Sequence, residues 1–89
     1  MEITAKTRFN KDIKKLRKRQ KDFSKLESVL KKLVSGNELE EKYKAHPLVG
    51  NWKPCWELHI EPDWLLIYNI DIESNQLILY RTGTHSDLF

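Results

Sequence analysis

The sequence predicts an α+β fold in the order β-α-α-β-β-β, with a helical hairpin packed on one face of a mainly antiparallel, twisted sheet. Three observations predict it. Apolar residues recur at helical spacing from Phe9 to Val34. From Trp56 onward the period falls to two, as in a strand. The last three apolar runs are joined by short turns, too short for the crossover that parallel neighbours need, so they pair antiparallel.

Each element has its own local reason. Residues 2–6, Glu-Ile-Thr-Ala-Lys, alternate as a short strand, and Thr7 is a plausible N-cap for the first helix. Phe9, Ile13 and Leu16 fall at i, i+4 and i+7, one face of a helix, while lysines and arginines fill most other positions to Lys21. Asp22 offers a second cap, and Ser24 with Glu27 forms a competing capping box. Phe23, Leu26, Leu30, Leu33 and Val34 continue the period until Gly36 ends it in the C′ role. Residues 37–51 form a polar linker. Trp56 to Glu61 alternates strictly and places Glu57, His59 and Glu61 on one face. Pro62-Asp63 breaks that run. Trp64 to Ile70 is apolar on both faces, which predicts a central strand. Glu73-Ser74-Asn75 is turn chemistry, Gln76 to Thr82 is the last strand, and Gly83 ends it, leaving the tail Thr84 to Phe89. The hairpin is expected to cover one sheet face, leaving the face of His59 open for function.

Length and composition narrow the function. Eighty-nine residues predict one domain, 1–89. A domain of that size buries about 60–65% of the surface its unfolded chain exposes. With 39% hydrophobic and 33% charged residues the chain is too apolar for disorder and too charged for a membrane protein. Its longest apolar run, Trp64 to Tyr68, is far short of a spanning helix. The opening MEITAKTRFNKDIKK lacks the apolar region of an export signal, and one cysteine, Cys55, fits a reducing compartment. The cytoplasm is the expected location, with no membrane partner. The net charge of +3 hides a split: residues 1–35 balance at +8 and residues 36–89 at −5. A basic front half suits a polyanionic partner, although lysine-rich outer faces of solvated helices would give the same split.

The chemistry-bearing residues cluster in the second half. His46, His59 and His85 all lie there, with Glu57, Asp63 and Arg81 nearby in the pattern. Together they supply proton acceptors, proton donors and a cation. Those are the parts needed to cut RNA without metal. A base takes the ribose 2′-OH proton, an acid protonates the leaving 5′-oxygen, and a cation steadies the phosphoryl charge. Histidine suits both proton roles because it titrates near working pH. The three histidines could instead form a metal site, but one cysteine and no H-E-x-x-H argue against zinc, so no metal or other cofactor is expected. No Gly-rich phosphate loop or nucleophile elbow is present. Cys55 reads as a small apolar filler.

The run HPLVGNWKPCWELHIEPDWLLIY and the C-terminal LYRTGTHSDLF resemble the YafQ branch of the RelE/ParE toxin superfamily. The likeness is close over residues 46–89 and agrees with the hairpin in order and charge. It implies a RelE-like fold and the toxin of a type II toxin-antitoxin system. Such toxins are endoribonucleases (mRNA interferases) that enter the ribosomal A site and cut mRNA. A cognate antitoxin holds them inactive, and operator DNA is bound only as the toxin–antitoxin complex. Carried over, the catalytic histidine of H-P-L falls on His46 and the histidine and aspartate of H-x-x-P-D on His59 and Asp63. The acidic residue two before that histidine is Glu57, the histidine of T-G-T-H is His85, and the preceding arginine is Arg81. The resemblance makes His85 the general acid, His46 or His59 the base, Arg81 the phosphate clamp and Phe89 a platform for a substrate base. Where many relatives carry arginine three residues before the strand histidine, this chain has Trp56, and Lys53 or Arg81 could serve as the cation. The lysines of the first helix, Lys11, Lys14, Lys15 and Lys18, become the ribosomal RNA contact. Two other readings use the same residues: a non-enzymatic toxin of the same fold that poisons a protein target, or an RNA-binding module with incidental histidines.

Overall fold

A computed structural model describes residues 1–89. Strand β1 (Glu2–Ala5) leads into helix α1 (Thr7–Lys18), and α2 (Phe23–Ser35) completes the hairpin. Lys6, not Thr7, occupies the N-cap of α1, and its side chain makes no capping bond. Asp22 caps α2 by accepting from the Ser24 amide, so it wins over the capping box that starts at Ser24. Gly36 closes α2 with φ 76°, a left-handed conformation that glycine adopts without a Cβ penalty.

The sheet has the strand order β1-β5-β4-β3-β2, with β3 (Trp56–Glu61), β4 (Trp64–Asp71) and β5 (Gln76–Gly83) forming the antiparallel meander. β1 adds to β5 in parallel, and the hairpin, the linker and strands β2 to β4 lie between the two in the chain. The linker holds two things its polar composition hid. One is a two-residue strand, β2 (His46–Pro47), which sets His46 opposite Glu57. The other is a pair of 3₁₀ turns, Glu41–Tyr43 and Gly50–Trp52. In the tail, His85–Leu88 forms a short helix, α3, with a capping box between Thr84 and Asp87.

Alternation along the strands divides the core in two. Leu58, Trp64, Leu66, Tyr68, Leu77 and Leu79 meet Phe9, Leu16, Leu26, Val29 and Leu33 of the hairpin. Each fully buried aliphatic side chain among them contributes about 1.5–3 kcal/mol relative to exposure. On the opposite face Leu65 and Ile67 pack with Cys55 and Leu88, flanked by Leu48, Trp52 and Tyr80. The face expected to be open is therefore roofed at its middle by α3 and the linker. The histidines sit at the rim of that roof. Cys55 is buried, and desolvation raises its thiol pKa, which suits a filler.

Two bulges interrupt the strand registers. The β3–β4 register shifts between His59 and Glu61, leaving Ile60 as an extra residue. An inserted residue reverses the alternation beyond it. Glu61 therefore leaves the face of Glu57 and His59, and accepts from Lys21 and Lys25 beside the hairpin. Those ammonium groups, Lys25 first, lower its pKa. The β4–β5 register shifts next to Tyr80. It sets Arg81 opposite Ile67.

Candidate active site

The structure gathers His46, Glu57, His59, Asp63 and His85 into one continuous cluster. Strand pairing supplies the first half: β2 sets His46 beside Glu57, and alternation brings His59 to the same face two residues on. Glu57 is buried, and its Oε1 lies 3.6 Å from His46 Nε2 and 3.8 Å from His59 Nε2. The other ring nitrogens face carbonyls, His46 Nδ1 at 2.8 Å from the Lys44 oxygen and His59 Nδ1 at 3.3 Å from that of Pro62. A carbonyl can only accept, so each Nδ1 carries hydrogen and each Nε2 is the working nitrogen. A proton on either Nε2 points at Glu57.

His85 enters from α3. Its ring centroid is 5.8 Å from that of His59. Asp63 accepts from both the His85 amide, at 2.9 Å, and the ring Nδ1, at 2.6 Å. The amide first and the ring second lower the Asp63 pKa. An ionised aspartate on Nδ1 fixes the tautomer and leaves Nε2 free to give or take a proton, the logic of a carboxylate-oriented catalytic histidine. Phe89, exposed at the end of the chain, meets Trp52 edge-on at 6.2 Å between centroids.

The whole chain, residues 1–89, matches the family model described as "Bacterial toxin of type II toxin-antitoxin system, YafQ". The chain belongs to the YafQ toxin family. It is 40% identical over 90 residues to the mRNA interferase toxin YafQ of Escherichia coli K12, spanning 99% of this chain and 95% of that protein. Among solved structures, a metal-bound toxin from Helicobacter pylori superposes with a TM-score of 0.94 at 42% identity, covering 100% of this chain and 99% of that one. YafQ in the E. coli DinJ-YafQ complex superposes with a TM-score of 0.89 at 40% identity, covering 99% and 97%. The RelE-like α+β fold expected from the sequence is thus the fold of the family.

Around the YafQ-type cluster, the remaining candidates fall in several places. Arg81 shares a sheet row with His46 and Glu57 by register, yet its side chain is turned onto α1. Arg81 Nε and Nη2 bond Asp12 at 2.7 and 3.1 Å, and the pair is nearly buried, with side-chain exposures of 11% and 10%. Asp12 also accepts from the Thr82 amide, and its bonds raise the Arg81 pKa. A two-pronged phosphate clamp is therefore not available to Arg81 in this arrangement, and only Nη1 remains outside the pair. Lys53 is exposed after the Gly50–Trp52 turn. Lys11, Lys14 and Lys18 are exposed on α1 without ion pairs, whereas Lys15 reaches Asp87 at 3.2 Å. Trp56 belongs to the opposite face from His59 and lines an apolar groove with Leu33, Leu39 and Tyr68. A side chain at that position does not enter the histidine cluster.

Sequence reasoning missed Asp87. Its carboxylate accepts from Arg19 at 2.7 and 3.1 Å, from Lys15, and from the Thr84 amide at 2.9 Å. Arg19 is the main cause of its strongly lowered pKa. It packs against Gly83, where an added Cβ would come within 2.9 Å of Oδ2. Asp87 thereby fixes the short helix that carries His85. The signal was legible, since Thr84-x-x-Asp87 has capping-box spacing.

Proposed function

We propose that this protein is an endoribonuclease toxin that cuts mRNA in the ribosomal A site by metal-independent general acid–base catalysis. The observation that carries it is the unbroken line from His46 through Glu57 and His59 to His85 and Asp63, in a chain of the family whose E. coli relative is named an mRNA interferase. His59 or His46 takes the 2′-OH proton with Nε2 while Glu57 steadies the imidazolium that forms. The 2′-oxygen bonds to the adjacent phosphorus, the bond from phosphorus to the 5′-oxygen breaks, and His85 Nε2 protonates that oxygen. Asp63 keeps His85 aimed. Lys53 and Arg81 Nη1 supply positive charge for the phosphoryl oxygens, and Phe89 beside Trp52 stacks a base. Lys11, Lys14, Lys15 and Lys18 dock the toxin on ribosomal RNA.

The same reading assigns the partners. A cognate antitoxin neutralises the protein, as the E. coli complex of DinJ with YafQ suggests, and operator DNA is engaged only by that complex. Primer extension on mRNA from a translating extract tests the catalytic claim. Cleavage inside the reading frame, lost in His85→Ala and retained with chelator, supports it. Intact mRNA with arrested growth would point to a protein target, and RNA binding without scission to a binding module. Relief of arrest by the neighbouring small reading frame tests the antitoxin.

A further inference from the structure

The largest cavity in the molecule, about 640 Å³, opens against His59, and most of the residues around it are polar or charged. Its walls are the start of α2, with Ser24, Lys25 and Ser28, and the 3₁₀ turn that ends at Lys44. Neither Asp63, His85, Trp52 nor Phe89 lines it. The cluster therefore has two unlike ends. The α3 end carries an exposed aromatic ring edge-on to Trp52, and at His59 the cluster borders a recess with lysines in its walls.

The charge of the recess can be resolved residue by residue. Glu61 is the one acidic wall residue, and it is matched by Lys25 at 2.7 Å and Lys21 at 3.2 Å. Lys42 is 65% exposed and only loosely held, 3.5 Å from Glu40. Lys44 makes no ion pair, while its carbonyl holds His46 Nδ1. The Ser28 hydroxyl has no partner in the protein. What is left over is two ammonium groups and a hydroxyl beside a catalytic ring, in a volume typical of a small-ligand site.

We propose that this cavity is a phosphodiester subsite: it takes the sugar–phosphate of the nucleotide next to the cleaved linkage, with Lys44, Lys42 and Ser28 meeting its phosphate oxygens. The inference rests on the nuclease reading, because an RNA cut at the cluster must continue past it on both sides. Each further linkage carries a negative charge, and this is the cation-lined recess that borders the cluster. Contacts to phosphate position a strand without reading its sequence. The α3 end is left to meet bases.

The test uses Lys44→Glu and Ser28→Glu, both at exposed positions, against Lys31→Glu, an exposed α2 position outside the cavity. The probes are two non-cleavable 2′-O-methyl RNA hexamers of different sequence, monitored by fluorescence anisotropy over a salt series, with cleavage in the translating extract alongside. Each cavity variant is expected to bind both hexamers about tenfold more weakly, the lysine variant with a salt slope smaller by about one, at unchanged thermal stability. Lys31→Glu is expected to stay within about twofold. Millimolar inorganic phosphate is expected not to displace the RNA. Displacement by phosphate alone would mark a free-anion site and overturn the proposal. Cavity variants that bind and cut like a wild type that itself cuts would overturn it while leaving the nuclease reading intact. A wild type that neither binds nor cuts RNA would remove both.

Discussion

At the scale of single residues, the chemistry depends on which nitrogen of each imidazole is tied down. Asp63 holds His85 Nδ1 at 2.6 Å, so Asp63→Asn removes the charge that orients and supports the ring while leaving its size. The expected result is a fall in kcat of about tenfold or more with KM little changed, and His85→Ala is expected to lose about 10²–10⁴-fold. Single-turnover cleavage measures both. Asp87 acts at one remove, through the backbone of α3, and its effect is on stability. Protonating it in the fold breaks its bonds to Arg19, Lys15 and Thr84, whereas the unfolded chain has no such bonds to lose. The unfolded chain binds that proton first as pH falls, so the stabilisation is present above the ordinary aspartate range, near about 3.9, and drains away below it. Asp87→Asn is expected to flatten the fall of Tm between about pH 4 and pH 2. Thermal melts across that range check it.

At the scale of elements, regular periods were legible in the sequence and long-range contacts were not. Periodicity accounts for the hairpin, the meander and the central β4, and Asp22 and Gly36 were visible as caps. His46, His59 and His85 could be grouped by motif. Alternation alone, however, puts Glu61 beside His59. The extra residue Ile60 undoes that, and a bulge leaves little local signature in composition. Arg81 is held on α1 by Asp12, a partner 69 residues away in the chain. The two-residue β2 was invisible for a different reason: it exists through its pairing with β3, a long-range contact no local window contains. The Arg81–Asp12 pair fastens β5 to α1. Asp12→Ala strands a nearly buried guanidinium, and a loss of about 3–5 kcal/mol is expected in chemical denaturation. Removing both partners together is expected to cost less than the two separate losses added.

Across the whole molecule, the basic helices and the histidine cluster are joined into one working surface. α1 carries exposed lysines, and through Asp12, Lys15 and Arg19 it is fastened to Arg81 and to the α3 turn that presents His85. On the proposed reading, docking and chemistry share an element: the front-half charge of +8 attracts a polyanion, and the cluster carries the reaction. In the proposed reaction imidazoles pass the protons while the RNA's own 2′-oxygen attacks. The decisive substrate is a ribosome-programmed mRNA with a 2′-deoxynucleotide on the 5′ side of the mapped cleavage point. The deoxy mRNA is expected to stay intact, and the all-ribose mRNA to yield ends with a 2′,3′-cyclic phosphate and a 5′-hydroxyl. Undiminished cutting of the deoxy mRNA, with 5′-phosphate ends, would rule that reaction out.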